Sequence, residues 1–399
     1  MDYSVTRAET QPRFSAGNEH ARAKARSGSR SSWPIGAIVV MQSLLWLAHW
    51  FIYATWTALE PMSRQTSRAL AVVLFVLSIS FTISAILTFR FANGLVAFLY
   101  KISAAWIGIL NFLTWAACLS WIAMLGLRVA GMDTISAKQD LGLAIFGAAI
   151  AVSIYGFVNA RVIRQRRVTV TLENLPEVWR GRTALLISDI HLGNVNGAGF
   201  ARRVARLARL LNPAVVFLAG DVYDGARVDP EWLAEPLAAV QPPLGVYFCG
   251  GNHEDIGDAG AYEAALRGAG VEVLHDARVD LEGLQIVGAS YATSAHQLRL
   301  RSLLERLRLH DGGPSILLNH VPHGLPIAEQ AGVDLQLSGH THGGQIFPFT
   351  WFTRRLFRQF TYGLQRMGRM QVLTSSGVGT WGPPMRVGTA PEVVLITFA

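Results

Sequence analysis

The chain has 399 residues, of which 51% are hydrophobic and only 16% are charged. This composition is too apolar for an ordinary soluble protein of this size. The formal net charge of +8 is compatible with nucleic acid or with a membrane surface as a partner. The two cysteines, Cys118 and Cys249, fall in a predicted membrane helix and a predicted strand, so we expect no disulfide between them.

Four stretches without Asp, Glu, Lys or Arg lie in the first 160 residues, at 34–59, 69–89, 102–127 and 141–160. Each reaches the roughly 20 residues that a helix needs to cross about 30 Å of hydrocarbon. The alternative is a buried helical core, which four uncharged runs in succession disfavour. The sequence therefore predicts a basic, disordered leader at 1–32 and four transmembrane helices within 33–160.

Basic residues flank these stretches unevenly. The leader, the second connection and the segment after the fourth stretch contain Arg7, Arg13, Arg22, Lys24, Arg26, Arg30, Arg90, Lys101, Arg161, Arg164, Arg166 and Arg167. The first and third connections contain only Arg64, Arg68, Arg128 and Lys138. The positive-inside rule therefore predicts a multi-pass cell-membrane protein with its N-terminus and everything after Arg161 in the cytoplasm. Anionic lipid head groups explain these basic residues, so we expect membrane lipids and no nucleic acid as partners.

The pattern changes after a predicted linker at 161–180, where short apolar runs begin to alternate with amphipathic stretches. Strands are predicted at 183–188, 214–219, 246–249, 271–274, 284–288, 315–318, 334–338, 370–374 and 393–398. Helices are predicted at 198–211, 259–268 and 296–309. Strand–helix alternation followed by several late strands predicts an α/β domain over 181–399, with two packed sheets and helices outside them.

Five polar clusters follow five of the predicted strands. They are Asp189-Ile190-His191, Gly220-Asp221-Val222-Tyr223-Asp224, Gly251-Asn252-His253-Glu254, Asn319-His320 and Gly339-His340-Thr341-His342. Because strand ends converge at one edge of an α/β sheet, we expect these side chains to meet. They offer enough carboxylate, amide and imidazole ligands for two divalent metal ions of the Mn, Fe or Zn type. Alternation in an extended segment predicts that the members of each pair, Asp189 with His191 and His340 with His342, point to one side.

The order of these clusters resembles that of the calcineurin-like metallophosphoesterase superfamily. The segment Gly343-Gly344-Gln345 resembles its bacterial membrane-associated branch, and the whole resemblance covers residues 181–399. It implies a four-layer sandwich of two mixed sheets between helices, and a metal-dependent phosphoric ester hydrolase. Gly-Asn-His-Glu in place of the usual Gly-Asn-His-Asp is within the family's variation.

The resemblance also implies a role for each cluster. Asp221 would bridge two divalent ions, which Asp189, His191 and His342 on one side and Asn252, His320 and His340 on the other would complete. A hydroxide held between the ions would attack phosphorus in line. The side chain of His253 would hold the phosphoryl group or protonate the leaving oxygen. Asp224 and Glu254 are expected to orient histidines from behind the ligands.

An aromatic and basic stretch follows the last cluster and includes Trp351, Arg354 and Arg355. As an amphipathic element it would lie in the bilayer interface and contact membrane or substrate. The alternative is an ordinary loop packed over the core. The interfacial interpretation favours a phosphodiesterase that acts on a membrane-proximal or lipid-linked phosphate ester.

Two other functions stay open at this point. The domain would act on a soluble nucleotide or a pyrophosphate, or it would be a metal-binding regulator attached to a transport or sensing module. The uncharged helices argue against an ion path. The sequence indicates no obligate protein partner.

Overall fold

The computed structural model describes residues 35–309 and 313–399, so the predicted leader lies outside the described residues. Four long helices come first: α1 (Ile35–Leu59), α2 (Arg64–Thr88), α3 (Gly94–Val129) and α4 (Ile135–Asn159). All four are long and apolar enough to cross a membrane. The prediction of four apolar helices is confirmed.

The helices extend beyond the uncharged runs because polar caps set where they begin. Ser63, Asn93 and Thr134 accept hydrogen bonds from backbone N–H groups in the first turns of α2, α3 and α4. Lys101 and Lys138, which the sequence placed in connections, therefore lie inside helices. At 36 residues, α3 is about 54 Å long and exceeds the hydrocarbon thickness.

Helix α3 is the centre of the bundle. Trp106 Nε1 donates to Nε2 of His49 in α1 at 2.9 Å. Trp121 Nε1 donates to Oγ1 of Thr55, also in α1, at 2.9 Å. The Ser84 hydroxyl in α2 lies 2.6 Å from that of Ser103 in α3. Hydrogen bonds between helices satisfy polar groups that the bilayer cannot.

The rest of the chain forms two six-stranded mixed sheets. The first sheet has the order β1-β12-β2-β3-β4-β5, with β1 (Arg164–Val170), β2 (Thr183–Ile187), β3 (Val215–Ala219), β4 (Val246–Cys249), β5 (Glu272–Val273) and β12 (Glu392–Phe398). The second has the order β10-β11-β9-β8-β7-β6, with β6 (Ala277–Leu281), β7 (Leu284–Gly288), β8 (Ser315–Leu318), β9 (Leu335–Ser338), β10 (Gly363–Met367) and β11 (Met370–Thr374).

Helices cover the outer faces of both sheets. On the first sheet they are α5 (Ala198–Leu211), α6 (Pro230–Ala234) and α8 (Ala259–Gly268), and on the second α10 (Gln297–Leu307) and α11 (Leu325–Gln330). The short helices α7 (Asn252–Ile256), α9 (Tyr291–Ser294) and α12 (Phe349–Phe357) lie in the connections. Leu186, Phe217, Ile316 and Leu337 belong to one buried cluster that joins the two sheets. Because central strands are buried on both faces, they read as continuous apolar runs. The predicted four-layer sandwich of two mixed sheets between helices is confirmed.

Three strands were missed, and each lies at the edge of a sheet. Residues 164–170, predicted to be part of a linker, form β1 and pair in parallel with β12, so the first sheet begins before residue 181. The sequences of β6 and β10 were also left without an element. Edge strands contain charged and half-exposed residues, and β1 begins with Arg-Gln-Arg-Arg. They therefore lack the apolar run by which a central strand is recognised.

Candidate metal centre

The five polar clusters follow the carboxyl ends of five strands. Strands β2, β3 and β4 are neighbours in the first sheet and run parallel, and β8 and β9 are parallel neighbours in the second. Their carboxyl ends bring the predicted ligands of both sheets to one place. The structure thus assembles side chains that lie up to 153 residues apart in sequence, from Asp189 to His342 (342 − 189 = 153).

Asp189, His191 and His342 form the first group. Their ligand atoms all lie within 4.8 Å of one another, and all three side chains are buried. Nε2 of His191 is 3.0 Å from Nε2 of His342, which is 3.4 Å from Oδ1 of Asp189. Three donors of this kind at such distances suit one divalent ion.

Asp221, His320 and His340 form the second group, again within 4.8 Å. Oδ2 of Asp221 is 3.0 Å from Nε2 of His320, and Nδ1 of His340 is 2.8 Å from Oδ1 of Asn252. The same Oδ2 lies 3.8 Å from Nε2 of His191, so Asp221 stands between the two groups.

His253 lies beside both groups. Its ring nitrogen is within 4.8 Å of the ligand atoms of His191 and Asp221, and its ring meets that of His191 edge to face at 4.7 Å. Nδ1 of His253 lies 2.9 Å from the carbonyl oxygen of Asp224, to which it donates. With Nδ1 engaged in that hydrogen bond, Nε2 is the ring nitrogen left to act at the cluster.

Two features of this structure fit bound metal better than hydrogen bonding alone. Nε2 of His320 is buried without a hydrogen-bond partner of acceptable geometry, although Asp221 is close. The Nε2 atoms of His191 and His342 face each other at 3.0 Å, and Nδ1 of His191 is buried without a hydrogen-bond partner among the described residues. Oxygen and imidazole donors together are typical of Mn, Fe and Zn sites. The residues present therefore fit divalent metal.

Five of the predicted ligands adopt a left-handed backbone. The φ angles are +55° for Asp189, +51° for His191, +51° for Asp221, +68° for His340 and +48° for His342. Such conformations cost roughly 1–3 kcal/mol each in residues other than glycine, and they cluster at functional sites. The expectation that Asp189/His191 and His340/His342 lie on extended backbone is therefore wrong. Tight left-handed turns, rather than strand alternation, bring each pair into the site.

Glycines allow these turns to approach the ligands. A β-carbon at Gly339 would overlap Oδ2 of Asp189, and one at Gly251 would overlap Oδ1 of Asp221. Both oxygens instead accept backbone hydrogen bonds nearby: His340 N donates to Asp189, and His253 N donates to Asp221 Oδ1 at 2.9 Å. The glycines thus let the backbone orient the two carboxylates.

Glu254 holds backbone rather than a histidine ring. Its two carboxylate oxygens accept from the N–H groups of Asp221 and Tyr223, each at 3.0 Å, and of Gly251 at 2.7 Å. Asp224 orients His253, as expected, but through its carbonyl group. Its carboxylate accepts from Asn194 N and Ala226 N. We expected Glu254 to orient a histidine. Its hydrogen bonds instead hold the backbone of the turn that carries Asp221.

Burial and neighbouring charges shift the pKa values of the cluster. Burial raises the pKa of Asp189 to about 6 and, together with the charge of Asp221, that of Glu254 to about 7. Burial also raises the pKa of Asp221, but the imidazoles of His320, His253 and His191 outweigh it and lower that pKa below its usual range. Burial and the His320 charge lower the pKa of His340 to about 3. Cations are thus favoured beside Asp221.

Two residues that the sequence did not single out touch the site. The guanidinium of Arg386 is fully buried, with Nη2 3.1 Å from Nδ1 of His342. Trp381 meets the ring of His253 edge to face at 5.7 Å and is half exposed. Both lie in a Gly- and Pro-rich loop without a metal-ligand pattern, so spacing alone gave no signal for them.

The predicted aromatic and basic stretch forms α12. Trp351, Phe352 and Leu356 are all more than half exposed, and Arg354 and Arg355 are exposed beside them. The stretch is therefore a helix with apolar and basic side chains on its surface, and the alternative of a packed loop does not describe it.

The fold and the site together define a class: a membrane protein with a buried cluster of metal ligands at the strand ends of a two-sheet sandwich. Comparison with known proteins agrees. The family profile of the calcineurin-like phosphoesterases matches residues 182–344. The uncharacterized metallophosphoesterase of Aquifex aeolicus (strain VF5) is 31% identical over 257 residues, which cover 63% of this chain and 97% of that protein.

Two further comparisons cover less of the other protein. The transmembrane protein with metallophosphoesterase domain from Danio rerio is 33% identical over 281 residues, 66% of this chain, and the chain spans 63% of that relative's length. The crystal structure of a 5′-nucleotidase precursor from Thermus thermophilus matches at 17% identity and a TM-score of 0.33, over 54% of each chain. The chain belongs to the calcineurin-like metallophosphoesterase family.

Proposed function

We propose that this protein is a binuclear-metal phosphodiesterase that hydrolyses a phosphate ester carried by a membrane lipid. The convergence of two ligand groups on Asp221 supports the two-ion chemistry. Asp189, His191 and His342 would hold one divalent ion, and Asn252, His320 and His340 would hold the other. When bound, such ions supply a Lewis acid and lower the pKa of a water molecule.

The residues around the ions would perform the remaining work. His253, held through Nδ1 by the Asp224 carbonyl, presents Nε2 to the phosphoryl oxygen or to the leaving oxygen. In the second role it is a general acid, which is worth roughly 10²–10⁴-fold in rate. Trp381 lies against His253 and remains half exposed, so it would contact the leaving group at the mouth of the site.

The path of α12 supports a substrate in the membrane. The segment begins at Phe347, whose carbonyl accepts from Asn111 Nδ2 at 2.9 Å and whose ring is 6.0 Å from that of Trp115, both in α3. It ends at Phe357, whose ring lies 6.0 Å from that of the proposed ligand His340. One short helix therefore connects a membrane helix with the metal centre.

The surface of that path suits a lipid interface. Trp351, Phe352 and Leu356 are exposed apolar groups, and Arg354 and Arg355 would bind head-group phosphates. Each arginine near an anionic surface contributes about 1 kcal/mol. A phosphate ester in the bilayer surface would then reach the ions without leaving the membrane.

The test compares one enzyme on two substrates. We expect the double substitution R354E and R355E to lower turnover of a phospholipid diester in anionic vesicles by at least roughly 30-fold, because about 2 kcal/mol of attraction is lost and the new carboxylates add repulsion. Hydrolysis of a small soluble chromogenic diester should remain within about twofold. Equal losses on both substrates would contradict the membrane substrate and favour a soluble nucleotide or pyrophosphate.

A matched control reverses two exposed arginines elsewhere. Arg299 and Arg301 lie on α10, which packs on the second sheet, and neither contacts the ligand groups. The substitutions R299E and R301E should leave turnover on both substrates unchanged. A vesicle-specific loss in this control would show that net charge, rather than α12, governs access to the lipid.

A further inference from the structure

The loop of residues 376–390 reaches both the membrane helices and the metal-ligand groups. Met385 and Val387 pack into the apolar cluster of the helix bundle. A β-carbon at Gly108 in α3 would lie 2.7 Å from Sδ of Met385, and one at Gly156 in α4 would lie 2.8 Å from Cγ2 of Val387. The two glycines therefore mark where the loop meets the bundle, on two different helices.

Helix α4 fixes the backbone of the residue between these two anchors. Arg386 N donates to the carbonyl of Gly156 at 3.0 Å. Nδ2 of Asn159 donates to the carbonyls of Arg386 at 2.9 Å and of Thr389 at 2.8 Å. The side chain of Asn159 is buried, so these hydrogen bonds are shielded from water.

The side chain of Arg386 extends from this anchor into the metal centre. Nη1 donates to the carbonyl of His342 at 3.2 Å, and Nη2 lies 3.1 Å from the Nδ1 atom of the same ring. Nη2 also donates to the carbonyls of Ser376 and Gly377, at 2.8 and 3.1 Å. The planar guanidinium has several donors in a rigid arrangement, so it fixes the carbonyl groups of His342, Ser376 and Gly377 relative to one another.

The same loop supports Asp189. A β-carbon at Gly377 would lie 2.6 Å from Cβ of Asp189, and Gly379 N donates to the carbonyl of Asp189 at 2.8 Å. Arg386 binds the carbonyls of both glycines. It therefore holds two of the three members of the first ligand group, His342 through its backbone carbonyl and Asp189 through the loop.

Electrostatics excludes a role for Arg386 in attracting metal. Its charge repels a cation, and within residues 35–309 and 313–399 no ion pair links it to a carboxylate. A fully buried arginine surrounded by carbonyl groups is instead a rigid hydrogen-bond donor. Its contribution to the site is geometric.

We propose that Arg386 is a positioning residue for the first metal site and that α4 sets its position through Gly156 and Asn159. The membrane helices are then part of the scaffold of the metal centre as well as an anchor. This inference needs only that the ligand groups bind metal, and it is independent of the lipid substrate.

The test measures Mn²⁺ binding to the full chain in lipid nanodiscs by calorimetric titration, without substrate. In the wild-type chain we expect two ions. In N159A, which leaves Arg386 in place but removes its anchor, one of the two ions should bind 10–100-fold more weakly and the other should keep its affinity. R386Q should weaken the same ion, and R386K, which keeps the charge but loses the planar guanidinium, should not restore it.

Asn111 provides the matched control. It also lies in a membrane helix and also donates to a carbonyl of the metallophosphoesterase domain (residues 164–399), that of Phe347, at 2.9 Å. N111A should keep both Mn²⁺ affinities. Wild-type binding of both ions in N159A would overturn the proposal, and so would an equal loss in N111A, since any break in docking would then suffice. Should R386Q fail to fold, N159A still decides; a wild-type chain that binds no Mn²⁺ would instead refute the metal centre itself.

Discussion

At the scale of single residues, the predicted ligands could be recognised because only a few residue types bind divalent metal ions. Carboxylates, an amide and imidazoles in a fixed order left little choice about Asp189, Asp221 or His320, and the structure brings them together. Arg386 and Trp381 could not be found in this way. An arginine that binds carbonyls, and an indole that touches one histidine, leave no spacing pattern in the sequence.

His253 is expected to act in turnover without being needed for metal binding. The substitution H253A removes a ring that faces the ligand groups, but both groups keep their own donors. We expect kcat to fall by roughly 10²–10⁴-fold, with an unchanged metal content measured by plasma mass spectrometry. Loss of one ion together with activity would instead make His253 a ligand, and an unchanged kcat would remove it from the mechanism.

Glu254 is expected to stabilise the turn that carries Asp221. In E254Q, one side-chain oxygen is replaced by an NH₂ group that must face a backbone N–H of Asp221, Tyr223 or Gly251. An unsatisfied buried donor costs roughly 1–3 kcal/mol, so the midpoint of thermal unfolding should fall. E177Q, at an exposed glutamate on the surface, is the control and should leave the midpoint unchanged. Equal midpoints for both variants would argue against this role of Glu254.

At the scale of elements, burial determined what the sequence could reveal. Strands β2, β3 and β8 are buried on both faces, and their apolar runs predicted them to within a residue or two. Strands β1, β6 and β10 lie at sheet edges and carry charged side chains, so the same signal was absent. The left-handed turns at the ligands were missed for a different reason: they depend on surrounding packing that forces φ positive in residues other than glycine.

Strand β1 supplies a test of its place in the first sheet. Val170 is buried against the sheet, and its neighbour Thr169 faces solvent. V170D would bury a charge and should destabilise the domain by more than about 3 kcal/mol, whereas T169D should be within about 0.5 kcal/mol of wild type. Chemical unfolding followed by tryptophan fluorescence measures both. Equal free energies of unfolding for V170D and T169D would indicate that this segment is a linker rather than a strand of the sheet.

At the scale of the whole molecule, the membrane bundle and the metallophosphoesterase domain meet through a few specific contacts. Ile346, Met385 and Val387 join the apolar cluster of the bundle, while Asn111 and Asn159 bind carbonyls of the domain. No sequence pattern predicts such contacts, because each is made by a single apolar or amide residue among many of the same type. The uncharged helices predicted the bundle, and the metal-ligand clusters predicted the domain, but the connection between them depends on tertiary structure.

The distribution of charge predicts the orientation of the molecule in the membrane, and this prediction can be tested directly. The carbonyl of Arg90 accepts a hydrogen bond from Arg227 of the metallophosphoesterase domain, and Arg164 and Arg167 lie in β1, so all three mark the end of the bundle that adjoins the domain. At the other end, Lys138 is paired with Asp133 at 2.7 Å, which reduces the net positive charge there. The positive-inside rule therefore predicts that the domain is cytoplasmic. Single cysteines at exposed positions, G131C between α3 and α4 and A295C in the domain, distinguish the two sides.

A membrane-impermeant maleimide should label G131C in intact cells and A295C only after the membrane is opened. The native Cys249 is buried and Cys118 lies within α3, so their labelling in the parent chain sets the background to be subtracted. Labelling of A295C in intact cells would reverse the orientation. The substrate would then have to lie in the outer leaflet, because α12 and the mouth of the metal centre move with the domain.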